Sequence, residues 1–251
     1  MIFLAIIPAR YASTRFPAKP LALLDGKPII QRVYEQVEQV FPHICVATDD
    51  ERILKVVEGF GGKAVMTSPN HKSGTDRCFE AYQKMGADAD VVVNVQGDEP
   101  FIAPSQLQTI MQVFADPLTC IATLAKPFGP NASLEEIENP NSPKVVVDDQ
   151  GNALYFSRSV IPFLRGVPKE EWPRRHTFLK HIGLYAYKAE TLQTIISLPQ
   201  ASLELCESLE QLRWLSAGLP IKVALTDIET IGIDTPADLA RAELFLKQTK
   251  A

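Results

Sequence analysis

The sequence predicts an α/β protein with a mostly parallel central sheet, helices on both faces and a small irregular insertion. Short apolar, β-branched segments alternate with longer segments of helical period, which is the pattern of repeated strand-helix-strand units. The chain has 251 residues, and 46% of them are hydrophobic. That is enough for a large core without disulfide or metal support.

The first half contains the clearest elements. Ile2–Ile7 is apolar and is followed by Pro8, which predicts a buried first strand. Ile29–Val40 has its apolar side chains on one stripe and predicts a helix. Asp49 and Asp50 precede another helical segment as capping residues. The other predicted elements here are strands at Ile44–Thr48, Lys63–Met66 and Val91–Val95, and helices from about Asp50, at Ser73–Met85 and from Pro104.

The alternation loosens after about Thr119. The segment Pro162–Arg175 has three prolines and six charged residues, so we predict an exposed loop. With no internal repeat or linker in view, we predict a single domain over residues 1–251 with an inserted subregion at about 125–188. The predicted elements of this half are strands at Cys120–Leu124, Lys144–Val147, Ala153–Phe156, Ile182–Tyr187 and Ile221–Ala224, and helices at Ala189–Ser197, Ser208–Ala217 and from Pro236 to about Lys247.

Composition excludes several classes of protein. The net charge of −5 argues against a nucleic-acid-binding protein, which usually carries a basic surplus. The apolar run Ile2–Ile7 is too short for a signal peptide or a membrane span, so we expect a cytoplasmic protein with no membrane span. The cysteines have no metal-ligand spacing and are expected to be free thiols: Cys45, Cys78, Cys120 and Cys206.

A loop with three cations follows the first strand. Residues 8–20 read PARYASTRFPAKP and place Arg10, Arg15 and Lys19 within ten positions. In an open α/β sheet, ligands bind beyond the carboxyl ends of the strands, and such a loop can hold a triphosphate. The loop lacks both GxGxxG and GxxxxGK[ST], so neither a dinucleotide-binding Rossmann fold nor a P-loop is indicated. A solvated basic loop is the alternative, and we expect the Lys19 side chain to face solvent.

Acidic residues follow two other apolar runs. Gln96, Asp98 and Glu99 come directly after Val91–Val95, where a carboxylate facing a phosphate loop suits Mg²⁺; a polar turn is the alternative. Asp234 precedes Thr235 and Pro236 at the start of the last predicted helix. Spacing alone favours a helix cap at Asp234 over a metal ligand.

These segments together resemble the CMP-KDO synthetase family, the 3-deoxy-manno-octulosonate cytidylyltransferases. The loop after the first strand is similar to the family's IPARxxSTRxPGKPL signature, and QGDEP at residues 96–100 matches its second motif. Ala18 stands where the family usually has glycine; if that position needs a positive φ, alanine costs about 1 kcal/mol. Further matches run in family order: HKSGTDR at 71–77, YFSR at 155–158, HIGLY at 181–185, LEQ at 209–211 and GIDTP at 232–236.

The resemblance implies a nucleotide-diphospho-sugar transferase-like fold and transfer of CMP from CTP to 3-deoxy-D-manno-octulosonate (KDO). The products would be CMP-KDO and pyrophosphate, and the reaction would activate KDO for lipopolysaccharide synthesis. The resemblance also implies a homodimer, with the insertion at 125–188 supplying sugar-binding and dimer contacts. Implied catalytic residues are Lys19, Asp98 and Asp234, with Mg²⁺ held by Asp98 and Asp234. Implied nucleotide ligands are Arg10, Ser13, Lys19, Ser73, Thr75 and Arg77, and implied sugar ligands are Arg15, Gln96, Arg158, His181, Tyr185 and Glu210.

Several alternatives remain open at this level. Arg158 suits a sugar carboxylate but also suits a surface ion pair. Without the family context, His181 is more typical of a structural histidine, as are His43 and His176. The 8-amino form of KDO is an alternative substrate, a sialic acid is disfavoured by the QGDEP motif, and a non-catalytic sugar-nucleotide sensor is a rival of another class.

Overall fold

The computed structural model describes residues 1–12, 15–86 and 88–249. Its strands are β1 (Phe3–Ala9), β2 (Leu23–Leu24), β3 (Lys27–Pro28), β4 (Ile44–Thr48), β5 (Ala64–Met66), β6 (Val91–Asn94), β7 (Ile121–Pro127), β8 (Lys144–Val147), β9 (Ala153–Ser157), β10 (Leu179–Lys188) and β11 (Lys222–Leu225). Its helices are α1 (Ile29–Glu38), α2 (Glu51–Gly59), α3 (Gly74–Met85), α4 (Pro104–Val113), α5 (Leu134–Glu138), α6 (Trp172–Arg175), α7 (Ala189–Ser197), α8 (Ser202–Glu207), α9 (Gln211–Ser216) and α10 (Pro236–Thr249). Two 3₁₀ turns lie at Lys19–Leu21 and Lys169–Glu171.

The chain divides into two compact units. The first comprises residues 1–108, 188–196 and 230–251, and the second comprises residues 109–187 and 197–229. All but the last residue of the predicted insertion at 125–188 belongs to the second unit. Whether the chain acts as the single domain over residues 1–251 stays a prediction.

The first unit contains a parallel sheet. β1 lies between β6 and β4, and β5 pairs with β4, all in parallel. Every residue of β4 and β6 is buried, as near-continuous apolar strands of a parallel sheet require. The segments that follow β1, β4 and β6 therefore begin at one edge of this sheet. After β4, Asp50 caps α2 through a 2.9 Å bond from the Arg52 amide, as predicted.

The second unit has a mixed sheet. β7 pairs with β11 in parallel and with β10 in antiparallel orientation. β8 pairs with both β10 and β9, again antiparallel. The ladder between β10 and β7 shifts register between Ile182 and Tyr185. These pairings and the parallel first sheet confirm the α/β class and most of the predicted strands.

One predicted segment was partly wrong. Most of Pro162–Arg175 is exposed, as predicted, but the segment is not a loop throughout, because Trp172 begins a short helix and is only 3% exposed. Its ring packs in a cluster with the buried side chains of Ile137 and Phe178. Two short helices, α5 and α8, were not predicted. Among the described residues, no helix combines the length and the apolar character that crossing a bilayer demands.

Candidate active site

The loop after β1 closes on itself before the 3₁₀ turn. The Ala18 amide donates to the Tyr11 carbonyl at 3.0 Å, and the Leu21 amide donates to the Ala18 carbonyl at 2.9 Å. Ala18 has φ 58° and ψ 19°, which is the left-handed region. The doubt raised by the missing glycine is therefore justified: this position needs a positive φ, and alanine occupies it under strain.

Lys19 joins the two predicted metal ligands. Its Nζ lies 2.5 Å from Asp98 Oδ2 and 3.1 Å from Asp234 Oδ1. The Lys19 side chain is 14% exposed, so the expectation that it faces solvent was wrong. Arg15 adds a second cation 3.2 Å from the same Asp234 oxygen. Two carboxylates and two cations thus form one charge-balanced cluster.

The main chain explains how residues so distant in sequence meet. Asp98 follows β6 and Asp234 precedes α10, and the Ile233 amide donates to the Asp98 carbonyl at 2.9 Å. Gly97 lets the segment after β6 lie close to the main chain of Pro8, because a Cβ on residue 97 would lie 2.8 Å from the Pro8 carbonyl oxygen. This neighbour belongs to the loop after β1, so Gly97 serves backbone packing at the cavity.

Asp234 does not cap the last helix. Thr235 Oγ1 accepts from the Asp238 amide at 3.2 Å, and Asp238 Oδ2 accepts from the Thr235 amide at 2.8 Å. These two residues cap α10 reciprocally. The Asp234 carboxylate is directed to Lys19 and Arg15. The helix-cap alternative for Asp234 is therefore wrong.

The same carboxylates suit a hard divalent cation. Asp98 Oδ2 and Asp234 Oδ1 both lie against one nitrogen, so the two carboxylates are neighbours. Neighbouring anionic oxygens are the ligand type that Mg²⁺ prefers, and this ion typically takes one or two carboxylates and completes its shell with phosphate oxygens and water. No group of three or more His, Cys, Asp or Glu side chains able to hold a metal occurs in the described part of the chain.

A cavity of about 390 Å³ lies beside this cluster in the first unit. Eight predicted site residues line it: Arg10, Arg15, Lys19, Ser73, Arg77, Gln96, Asp98 and Asp234. Thr75 lies next to this lining in the first turn of α3 and is buried. Ser13 lies outside the described residues. A larger cavity of about 620 Å³, in the second unit, contains none of the predicted residues.

The start of α3 shapes one wall of the 390 Å³ cavity. Ser73 Oγ accepts from the Asp76 amide at 3.1 Å, and the Asp76 carboxylate accepts from the Ser73 amide at 3.2 Å, so Ser73 caps the helix. Arg77 is buried and donates to Thr67 Oγ1 at 2.6 Å and to Asp49 Oδ2 at 2.8 Å. Its charge is therefore balanced inside the protein, which favours a role in shaping the cavity wall over direct binding of an anion.

The remaining predicted sugar ligands lie in the second unit. Arg158 donates through all three guanidinium nitrogens to main-chain carbonyls: Nε to Glu207 at 2.6 Å, one terminal nitrogen to Pro140 at 2.8 Å and the other to Ser208 at 3.2 Å. A simple surface ion pair is thus excluded for Arg158. Glu210 stands immediately before α9.

His181 and Tyr185 belong to an aromatic group on β10. The His181 ring contacts Phe156 at 5.0 Å and Tyr185 at 5.4 Å between centroids, and its Nε2 lies 3.1 Å from Thr123 Oγ1. Burial lowers the pKa of His181 to about 3, so its imidazole is neutral near pH 7. Burial also raises the pKa of Tyr185. Both side chains are therefore uncharged near pH 7.

Sequence reasoning assigned no role to several residues that the structure places at these sites. His71 and Lys72 line the 390 Å³ cavity, and both belong to the matched HKSGTDR segment. Near Tyr185, the amide Nε2 of Gln211 and the indole Nε1 of Trp214 are buried without a hydrogen-bond partner among the described residues. Gln211 belongs to the matched LEQ segment, whereas no sequence signal indicated Trp214.

The chain is similar to known cytidylyltransferases over almost its whole length. A protein-family model described as cytidylyltransferase matches residues 4–228. The 3-deoxy-manno-octulosonate cytidylyltransferase of Phocaeicola vulgatus is 67% identical over 248 residues, 99% of this chain and 98% of that protein. The enzyme of the same name from Bacteroides thetaiotaomicron is 65% identical over 247 residues, 98% of this chain and 99% of that protein. A solved structure of CMP:2-keto-3-deoxy-manno-octonic acid synthetase complexed with CTP superposes with a TM-score of 0.91 at 42% identity, covering 99% of this chain and 100% of that one.

Proposed function

We propose, from the premise that this chain belongs to the 3-deoxy-manno-octulosonate cytidylyltransferase family, that it transfers CMP from CTP to KDO. The products are CMP-KDO and pyrophosphate, and CMP-KDO is the activated sugar for lipopolysaccharide synthesis. The observation that carries the proposal is the cluster of Lys19, Arg15, Asp98 and Asp234 beside a cavity at the carboxyl edge of the parallel sheet.

In this reaction the protein mainly positions the two substrates and neutralises the negative charge of the phosphates. The anomeric hydroxyl oxygen of KDO forms a bond to the α-phosphorus of CTP, while the bond from that phosphorus to pyrophosphate breaks in line. The hydroxyl proton is released to solvent. Arg10 and Lys19 bind the triphosphate, and Lys19 counters the charge that develops on the leaving pyrophosphate. Ser73 and Arg77 fix the wall against which the cytidine packs.

Asp98 and Asp234 are the residues that would hold Mg²⁺. A bound Mg²⁺ supplies charge neutralisation at the phosphate oxygens and aligns the two reacting groups. Within the cluster, Lys19 and Arg15 balance the charge of the two carboxylates. Triphosphate oxygens offer those two cations an alternative anionic partner, and this leaves the carboxylates available to the metal.

On the sugar side, Arg158 binds the KDO carboxylate, and His181, Tyr185 and Glu210 bind hydroxyl groups. Arg15 and Gln96 are the remaining proposed sugar ligands. The neutral state of His181 suits it to hydroxyl recognition, since a neutral imidazole both donates and accepts. The protein acts in the cytoplasm as a homodimer, with the inserted subregion supplying the dimer contact; sedimentation equilibrium tests the oligomeric state.

The experiment that tests the function is pyrophosphate release from a panel of substrates. CTP with KDO should turn over, and ATP or GTP should give less than about 1% of that rate, because the base pocket excludes the larger purines. The 8-amino form of KDO and a sialic acid are tested in parallel. Equal turnover with a purine triphosphate would contradict the cytidylyl assignment, and turnover with 8-amino-KDO alone would change the named substrate.

A further inference from the structure

Arg158 is held from several directions in the second unit. Its guanidinium has five N–H groups, and three of them donate to the carbonyls of Glu207, Pro140 and Ser208. One N–H remains on each terminal nitrogen, and a two-point contact with a carboxylate requires just such a pair. The two remaining N–H groups of Arg158 point in a direction that depends on the positions of the three carbonyls.

Glu207 supplies one of these carbonyls and also holds the main chain of Arg158. Its Oε2 accepts from the Arg158 amide at 2.9 Å, its Oε1 accepts from Ser157 Oγ at 2.6 Å, and its own carbonyl accepts from Arg158 Nε. Glu207, at the end of α8, therefore accepts hydrogen bonds from both the main chain and the side chain of Arg158. The end of β9 and the end of α8 are joined through this contact.

Lys144 completes the arrangement from β8. Its fully buried Nζ donates to the Arg158 carbonyl at 2.7 Å and to the Asn139 carbonyl at 3.1 Å. Burial lowers the pKa of Lys144, and the charge of Glu207 opposes that shift. Glu207 thus also stabilises the buried cation that holds the Arg158 carbonyl.

The same contact sets the position of Glu210. Between Glu207 and α9 the chain turns through Ser208, which has φ 51° although it is not glycine. The Ser208 carbonyl accepts from Arg158, so the guanidinium helps to hold this strained turn. Glu210 follows two residues later and is placed by that turn.

We propose that Glu207 is a positioning residue for the acid-sugar site, which aims the remaining donors of Arg158 at the substrate carboxylate and holds the turn that places Glu210. This inference rests on the proposed function, in which Arg158 and Glu210 bind the sugar. No role was implied for Glu207 by the sequence motifs, since it lies just before the matched LEQ segment.

The test separates sugar binding from nucleotide binding. Glu207→Ala should raise the KM for KDO by about tenfold or more, with the KM for CTP changed by less than about twofold. Glu207→Gln should largely restore the wild-type KM for KDO, because its oxygen can accept from the Arg158 amide and its amide can donate to Ser157. Val223→Ala, a cavity variant on β11 of the same unit, controls for loss of stability and should leave both KM values unchanged.

A double-mutant cycle identifies the route. If Glu207 acts through Arg158, Glu207→Ala combined with Arg158→Ala should raise the KM for KDO no further than Arg158→Ala alone. Additive effects, or an equal rise in Val223→Ala, would overturn the positioning role. A normal KM for KDO in Arg158→Ala would instead show that Arg158 does not bind the sugar. The proposed function itself would be refuted if the wild-type protein released no pyrophosphate from CTP and KDO.

Discussion

Lys19 carries the charge balance of the candidate site. Its Nζ contacts both Asp98 and Asp234, whereas Arg15 contacts only Asp234. A single ammonium group therefore keeps two carboxylates close together, although like charges repel. The residue types were visible in the sequence, but their pairing was not, because it depends on the contact between the β6 end and the segment before α10.

Replacing Lys19 by methionine should lower kcat by about a hundredfold or more, because the charge acts on the developing pyrophosphate. The fold should survive, since Asp98 and Asp234 are partly exposed and can be solvated. Steady-state kinetics with thermal melting measures both. Lys27→Met is the matched control: Lys27 pairs with Glu35 at 2.8 Å, and its loss should leave kcat unchanged. A near-normal kcat for Lys19→Met would assign Lys19 to an ordinary basic loop.

Asp234 and Asp238 lie four residues apart and should respond to mutation in opposite ways. Asp234→Asn should abolish most turnover with little change in stability, because the cap belongs to Thr235 and Asp238. Asp238→Ala should cost about 1 kcal/mol of stability and keep turnover. Kinetics and melting curves of both variants distinguish the two roles.

Asp98→Asn should match Asp234→Asn, and the double variant should be no worse than either, since the two carboxylates act as one unit. An active Asp234→Asn enzyme would remove Asp234 from the proposed metal site. Strictly additive losses would indicate that the two carboxylates act separately.

At the scale of elements, the backbone is strained at Ala18, where the loop after β1 meets the 3₁₀ turn. Ala18→Gly should raise stability by about 0.5–1 kcal/mol, because glycine adopts φ 58° without the steric cost that alanine bears. This corresponds to a rise in Tm of about 1–4 °C. Ala22→Gly is the control: Ala22 has φ −61°, so the added freedom of its unfolded chain should lower Tm. An unchanged or lower Tm for Ala18→Gly would show that Ala18 is not strained.

The elements that sequence predicted well are those with local signals. β4 and β8 have the predicted bounds, and the Asp50 cap of α2 follows from two residues alone. The misread segment Pro162–Arg175 depends on a distant contact, because Trp172 is buried against Ile137 and Phe178. The missed helix α5 had a usable signal, since Ser133 and Glu136 form a capping box.

The site residues also differ in how far the local sequence predicts them. Asp98 was predicted from its place after a buried strand, at the ligand-binding edge of the sheet. Most other assignments required the family motifs. The contacts that fix Arg158 could not be predicted, since they join β9, α8 and the segment before β8. The burial that keeps His181 neutral likewise depends on Phe156 and Tyr185, which pack against it only in the folded unit.

At the scale of the whole molecule, carboxylates with lowered pKa values occur in both units. In the second unit, Glu204 is buried, which opposes ionisation, but the bidentate Arg213 overcomes that effect and lowers its pKa. In the first unit, burial likewise opposes ionisation of Glu80, yet Lys84, the Ser68 amide and His71 lower its pKa to about 2. A carboxylate with a folded pKa below its unfolded value binds fewer protons in the folded state.

The sign of the pH dependence follows for Glu80. Its contribution to stability is present above pH 4.5, the ordinary pKa of glutamate, and is lost as the pH falls toward about 2. Glu80→Gln should therefore destabilise the protein by about 1–2 kcal/mol at pH 7, a value reduced for partial solvent screening. The difference from wild type should shrink as the pH falls from 4.5 to 3, because Glu80 then binds a proton in the unfolded state while it is still ionised in the folded state. Glu51→Gln is the control: Glu51 is 77% exposed with Lys55 at 3.9 Å, so its difference should stay near zero throughout. Chemical denaturation at pH 7, 5, 4 and 3 measures all three proteins, and a Glu80→Gln difference that persists undiminished at pH 3 would mean that the carboxylate charge is not what stabilises this contact.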